Sequence, residues 1–176
     1  YVRDETTLAR PWAIPGTPGL MHRVGGIEKQ DGRGDIDYSP ANHEKMVHLR
    51  AAKVAGIAAD IPPATVVGDA DAEVCVLGWG STWAAITSAV EKVRSDGTKV
   101  AWIHLTHLNP LPPNLGELLR SYRRVIVPEL NMGQLCRIVR AEYLVDARSV
   151  SKVQGLPFTS AELERAILDA QKEVSR

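Results

Sequence analysis

The sequence is poor in several features that mark whole classes of protein. It holds only two cysteines, Cys75 and Cys136, far apart and in apolar surroundings. Their spacing matches no metal site, and an iron–sulfur cluster needs about four thiolates. Two buried, reduced thiols in a cytoplasmic protein are expected. Neither sign of charge prevails: 21 Lys+Arg stand against 21 Asp+Glu, with no basic run. Nothing therefore points to a nucleic-acid partner. No apolar stretch approaches the roughly 20 residues that cross a bilayer, so no membrane partner is expected. The polar N-terminus lacks the pattern of a signal peptide. The chain opens on Tyr1 rather than Met, as a fragment or a trimmed piece would.

What is present suffices for one core-bearing domain and an extension: 176 residues, 44% of them hydrophobic. Residues 1–62 read as a linker arm with one helix at about 39–58, and residues 63–176 as an α/β domain. The arm, ARPWAIPGTPGLMHRVGGIEKQDGRGD, is dense in Gly and Pro and keeps no period. Such a long irregular stretch is unusual inside a compact domain. Its apolar Trp12, Ile14, Leu20 and Met21 are expected to pack on something outside this chain. Ser39 and Pro40 open the helix as cap and first residue, and Met46, Val47, Val54 and Ile57 give it an apolar side.

From Glu73 onward, strand and helix alternate. EVCVLGW, KVAWIHLTHL, RRVIVPEL and RSVSKV are apolar or β-branched runs of strand length. Between and after them come STWAAITSAVEKVRSDG, NLGELLRSY, NMGQLCRIVRAEYLV and SAELERAILDAQKEV. Asn131 and Gln134 approach a capping-box pattern, and Thr159 with Glu162 completes one. Leu163, Ala166, Ile167 and Ala170 form the stripe of the last helix. The alternation predicts a three-layer, open, mostly parallel sheet with right-handed crossovers.

Ligands of open α/β sheets sit beyond the carboxyl ends of the strands, and three loops qualify. The first holds Gly78, Trp79, Gly80, Ser81 and Thr82. Its glycines admit close approach, and the following helix offers free N–H groups to an anion. The dinucleotide fingerprint fails, because Trp83 stands where the third Gly belongs. The acid expected roughly 20 residues on is also misplaced, Asp96 preceding the second strand. The plainer reading is a tight turn with Ser81 as helix cap. Gly78, Gly80, Ser81 and Thr82 are kept as candidate contacts for an anion or coenzyme A. The second loop holds His104 and His107. Strand positions three apart point to opposite faces, so the pair cannot chelate one metal. His104 reads as packed, and His107 as the interface or ligand candidate. The third loop contributes Glu129 and Asn131. A carboxylate ending an apolar strand needs a partner, sought in a cation at a domain interface or in a ligand. Capping alone accounts for Asn131 and Gln134. No nucleophile elbow accompanies any Ser–His–acid or Cys–His set, so no catalytic residue and no metal ligand is assigned.

The run PGTPGLMHRVGGIEKQDGRGDIDYSPANHEKMVHLRAAKV resembles the segment after the pyrimidine domain in alpha subunits of 2-oxoacid:ferredoxin oxidoreductases, most of all the actinobacterial 2-oxoglutarate type. VLGWGST, HLTHLNPLPPNLGELL, VIVPELNMGQL and VQGLPF resemble, in order, that subunit's transketolase C-terminal-like domain. The resemblance covers nearly the whole chain, with Glu28-Lys29 where the family often has Glu-His. It implies oxidative decarboxylation of a 2-oxoacid to acyl-CoA with reduction of ferredoxin. It also implies that the complete enzyme uses thiamine diphosphate, Mg2+, an iron–sulfur cluster and coenzyme A, none of them bound by this chain alone. The implied partners are the upstream domains of the same subunit, a beta subunit and, through the complex, ferredoxin. No catalytic residue transfers onto this chain. Gly68-Asp69-Ala70-Asp71 is faintly similar to the metal–diphosphate motif of thiamine enzymes, but it precedes a strand and lacks the later Asn. The expectation is a structural and interface domain, inactive alone. The alternatives are a stand-alone nucleotide- or anion-binding module and a pure oligomerisation domain.

Overall fold

Four of the apolar runs form parallel strands: β2 (Val74–Trp79), β3 (Ala101–Leu105), β4 (Arg124–Glu129) and β5 (Ala147–Ser151). They belong to a computed structural model that describes residues 1–22 and 25–175. A fifth strand, β1 (Val66–Gly68), runs antiparallel to β3, ahead of Glu73, where the alternation in the sequence begins. Its three residues are all exposed, so no apolar alternation betrays it. Backbone pairing makes the strand, and a Cβ on Gly68 would lie 2.4 Å from the Val100 carbonyl oxygen. The sheet order is β1-β3-β2-β4-β5.

The strands alternate strictly between two cores. Val74, Val76, Trp102 and Ile126 face α2 (Trp83–Ser95) and α5 (Ser160–Val174), meeting Ile86, Val90, Leu163 and Ile167. Cys75, Leu77, Ile103, Val125 and Val127 face α3 (Leu115–Arg120) and α4 (Gln134–Tyr143), meeting Leu115, Leu119, Leu135 and Val139. Two helices on each face of a mostly parallel sheet make the expected three-layer α/β architecture. The α5 stripe packs as its spacing requires, with Leu163, Ile167 and Ala170 buried and Ala166 against the same cluster. Thr159 starts α5 through a reciprocal box, its hydroxyl accepting from Glu162 N at 3.3 Å while the Glu162 carboxylate accepts from Thr159 N at 2.8 Å.

The chain divides into two compact units, Tyr1–Asp60 and the part from Ile61 onward. In the first, α1 (Pro40–Gly56) begins at Ser39, whose hydroxyl accepts from Asn42 N at 3.4 Å, and ends in a 3₁₀ turn, Ile57–Asp60. Lys29 and Ile36 form an isolated antiparallel bridge. Asn42 ties this bridge to α1, accepting from Asp31 N at 3.1 Å and donating to the Lys29 carbonyl at 3.2 Å. Of the apolar side drawn from the sequence, only Met46 is buried; Val47, Val54 and Ile57 are exposed. Trp12 and Met21 are almost wholly exposed as well.

Candidate functional site

The chain leaves β2 for β3 on one side and returns to β4 on the other. The loops after β2 and β4 therefore diverge at the carboxyl edge of the sheet, the place where open α/β folds hold ligands. A cleft of about 280 Å³ opens there, lined by Trp79, Ser81, Thr82, Leu130 and Asn131. Two of the three loops marked in the sequence thus converge, and the His107 loop does not line the cleft.

Close packing builds the β2 side. A Cβ on Gly78 would lie 2.3 Å from Ile86 Cδ1 and 3.2 Å from Thr82 Oγ1. Only glycine lets α2 start so near the strand. Gly80 takes φ +56°, the left-handed region, with open space around it. Ser81 is not the cap expected of it. A 3₁₀ turn over Gly80–Thr82 intervenes before α2, and Ser81 is exposed. The buried residue is Thr82, whose hydroxyl donates to the Trp79 carbonyl at 2.7 Å and accepts from Trp79 N at 3.2 Å. That reciprocal pair folds the loop onto itself and leaves the Ser81 side chain on the cleft. Trp79 Nε1 is buried without a partner among the described residues. An unmatched buried donor beside a cleft invites an acceptor from outside.

The β4 side rests on Glu129, whose side chain is fully buried. Its partner, sought in a cation at a domain interface or in a ligand, is among the described residues the start of α4. Oε1 accepts from Leu135 N at 2.9 Å and Asn131 Nδ2 at 3.1 Å, and Oε2 accepts from Cys136 N at 3.0 Å. Asn131 Oδ1 accepts from Gly133 N at 2.8 Å and Gln134 N at 3.0 Å. The four N–H groups that a helix start leaves open are thus all taken. A negative group at this end also suits the helix dipole. The helix begins at Gln134, later than the sequence pattern suggested, so Gln134 does not close a capping box. Burial, and next the Glu129 charge, push the Cys136 thiol up from its ordinary pKa.

The two histidines part company. His104 lies on β3 with its ring 6.2 Å from Trp102, edge to face, and Trp102 in turn meets Trp83. Its Nδ1 is buried without a partner among the described residues, and burial lowers its pKa. His107 is exposed, its Nδ1 2.9 Å from the Thr106 hydroxyl. Sequence reasoning missed Trp79 and Leu130 as cleft walls, since both continue strand-like apolar runs. Position at the carboxyl end of a strand, the last residue of β2 and the first after β4, was the available signal.

The residues present do not fit a metal–diphosphate or cluster site. Asp69 is held by Arg94 at 2.9 Å and Asp71 by Lys99. Cys75 and Cys136 are buried in one apolar cluster, and no three His, Cys, Asp or Glu side chains among the described residues form a metal-ligand group.

Comparison with known proteins extends these observations. The chain is 53% identical over 168 residues to the 2-oxoglutarate oxidoreductase subunit KorA of Mycobacterium tuberculosis, spanning 95% of this chain and 25% of that protein. It is 33% identical over 177 residues to 2-oxoacid:ferredoxin oxidoreductase 1, subunit alpha, of Aeropyrum pernix, spanning 96% of this chain and 27% of that protein. The chain thus spans about a quarter of the length of these curated relatives. The structure of 2-oxoglutarate:ferredoxin oxidoreductase from Magnetococcus marinus with 2-oxoglutarate, coenzyme A and succinyl-CoA bound superposes with a TM-score of 0.85 at 31% identity, covering 97% of this chain and 30% of that one. A split-gene transketolase, an inactive beta4 tetramer, shares the fold at a TM-score of 0.51 and 19% identity, covering 64% of this chain and 43% of that one. Residues 72–165, the sheet from just before β2 to the first turns of α5, match the pyruvate:ferredoxin oxidoreductase core domain II, and the chain belongs to that family.

Proposed function

We propose that this chain is the transketolase C-terminal-like part of the alpha subunit of a 2-oxoacid:ferredoxin oxidoreductase acting on 2-oxoglutarate. The complete enzyme would convert the oxoacid to its acyl-CoA and reduce ferredoxin, with thiamine diphosphate, Mg2+, an iron–sulfur cluster and coenzyme A supplied by other domains and a beta subunit. The observation that carries this reading is the match along almost the whole chain to the Magnetococcus marinus enzyme. The domain division follows the same reading: residues 1–62 act as an arm and 63–176 as the α/β domain. The exposed Trp12 and Met21 suit an arm that is covered by the upstream domains.

In this reading the domain binds and positions rather than catalyses. Gly78, Gly80, Ser81 and Thr82 form the wall that meets an anion or the phosphates of coenzyme A. The unpartnered Trp79 Nε1 supports a ligand-facing role for that wall. His107, exposed beyond β3, faces a neighbouring domain. Glu129 and Asn131 hold the opposite wall in shape. The test is to supply the isolated chain with 2-oxoglutarate, thiamine diphosphate, coenzyme A and an electron acceptor. No turnover is expected until the upstream domains and the beta subunit are added. Turnover by the chain alone would sink the proposal, and micromolar binding of a nucleotide by the chain alone would favour a stand-alone binding module.

A further inference from the structure

Two arginines in the first unit converge where no acid meets them. Arg3 Nη2 and Arg10 Nη2 lie 3.9 and 4.0 Å from the same atom, the sulfur of Met46, a side chain 1% exposed. A thioether is a weak acceptor and carries no charge to offset either guanidinium. Arg3 Nη1 donates to the Leu8 carbonyl at 2.9 Å. The Nε groups of both arginines are buried and unpartnered among the described residues. Such donors carry a cost that a native protein normally removes.

The neighbouring acids are already engaged. Asp31 is paired with Lys45 at 2.6 Å. Glu28 accepts from His43 at 3.2 Å and from Arg50 at 3.3 Å. Among the described residues neither Arg3 nor Arg10 has a carboxylate within ion-pair reach; the Asp31 charge offsets them only from a distance, and the Arg10 guanidinium lies over the Tyr1 ring, 5.4 Å from its centre. Burial, and next the Arg10 charge, hold the Arg3 pKa below the ordinary guanidinium value. Arg10 also lines a cavity of about 550 Å³ whose walls include Tyr1, Trp12, Leu20 and Met21. That volume falls in the range of small-molecule sites, and its walls are largely apolar.

We propose that Arg3 and Arg10 form an oxyanion site for a carboxylate or phosphate group borne on an apolar body. Planar guanidinium forks suit such groups, and the Nε donors, buried beside the Met46 sulfur, must turn out of that contact to meet one. The oxyanion comes either from a free small acid or from an acidic side chain of adjoining polypeptide. This site uses residues of the first unit alone and does not depend on the proposed enzymatic activity.

The experiment is a titration of the full 176-residue chain with inorganic phosphate and with benzoate, followed by the NMR signals of the arginine Nε–H groups. Saturable shifts at two Nε–H groups are expected, half complete at roughly 1–10 mM. Arg3→Gln or Arg10→Gln should weaken binding about tenfold, the loss of a charge-assisted pair. Arg10→Lys keeps the charge but loses the fork, and should weaken benzoate binding while amide signals from β2 and α5 stay in place. The absence of saturable shifts, or equal binding by Arg10→Gln, overturns the proposal. A longer chain that includes the upstream domains separates the two sources. Retained titration identifies a free anion. Nε–H signals already at their bound positions identify an internal acid. Unshifted signals that no longer respond overturn the proposal.

Discussion

Removing the carboxylate of Glu129 should loosen the β4–α4 wall in a graded and calculable way. Three donors depend on it: the buried Leu135 N and Cys136 N, and the half-buried Asn131 Nδ2. Glu129→Ala leaves all three unmatched. Each unmatched buried donor costs about 1–3 kcal/mol, and loss of a helix cap about 0.5–2 kcal/mol. Relief from burying a charge, and water entering the vacated space, offset part of this. A net loss of about 3 kcal/mol is expected. Glu129→Gln keeps one acceptor oxygen, enough for Leu135 N and Asn131, but sets its NH2 against Cys136 N. One bond is lost and one donor stranded, for a loss of about 1.5 kcal/mol. Urea unfolding of the 176-residue chain measures both, and amide exchange at Leu135 and Cys136 locates the effect. Exchange there should quicken in both variants beyond the change in global stability. Loss below about 0.5 kcal/mol in Glu129→Ala, or a Gln variant as unstable as the Ala variant, would refute the reasoning. In that event the partner of Glu129 would be a cation outside this chain.

The remaining predictions concern separate features. Gly78→Ala meets Ile86 and Thr82 and should cost about 2 kcal/mol. Gly80→Ala meets nothing and bears only its φ of +56°, costing about 1 kcal/mol; equal losses in thermal unfolding would contradict this distinction. The Lys152 ammonium, and next Thr159 N, hold the Glu162 carboxyl down to about 2 from an ordinary 4.5. Its contribution is therefore present above the ordinary value and is lost as pH falls through about 2. Glu162→Gln should flatten that acid limb in a plot of melting temperature against pH, and an unchanged limb would remove Glu162 as its source. Burial pushes the thiols of both Cys75 and Cys136 up. Neither should react with a thiol reagent at pH 8 until the chain unfolds, when both should; one fast native thiol would contradict the packing.

What could be read from the sequence depended on whether side chains or backbone made the structure. β2 and β4 were legible because Val74–Leu77 and Val125–Val127 are apolar runs buried on both faces. β1 was not, because its exposed residues serve the sheet only through main-chain bonds to β3. The Thr159–Glu162 box was legible because both partners are side chains at fixed spacing. The cap of α2 was misplaced by one residue, since a 3₁₀ turn intervenes and Thr82 turns back to Trp79. Glu129 stood out as a charge in need of a partner, yet its partners are backbone N–H groups six and seven residues on. Arg3 and Arg10 lie 43 and 36 residues from Met46, and no local pattern announces their meeting.

The two walls of the switch-point cleft differ in what they have left to give. On the β4 side, Glu129 and Asn131 take up the N–H groups of Gly133 to Cys136. An anion arriving at the start of α4 would face a buried carboxylate and find those four N–H groups taken. On the β2 side, Thr82 binds back to Trp79 and leaves the exposed Ser81 side chain for an outside partner, while the Trp79 indole N–H is buried and unmatched among the described residues. Among the described residues no Lys or Arg lines the cleft, so an anion bound here would be held there by dipoles and hydrogen bonds. Such binding is weak until a neighbouring domain adds charge and excludes water. On the proposed reading, a domain built this way would orient one face of a ligand and depend on neighbouring domains for the rest, as suits a chain that spans about a quarter of its relatives' length.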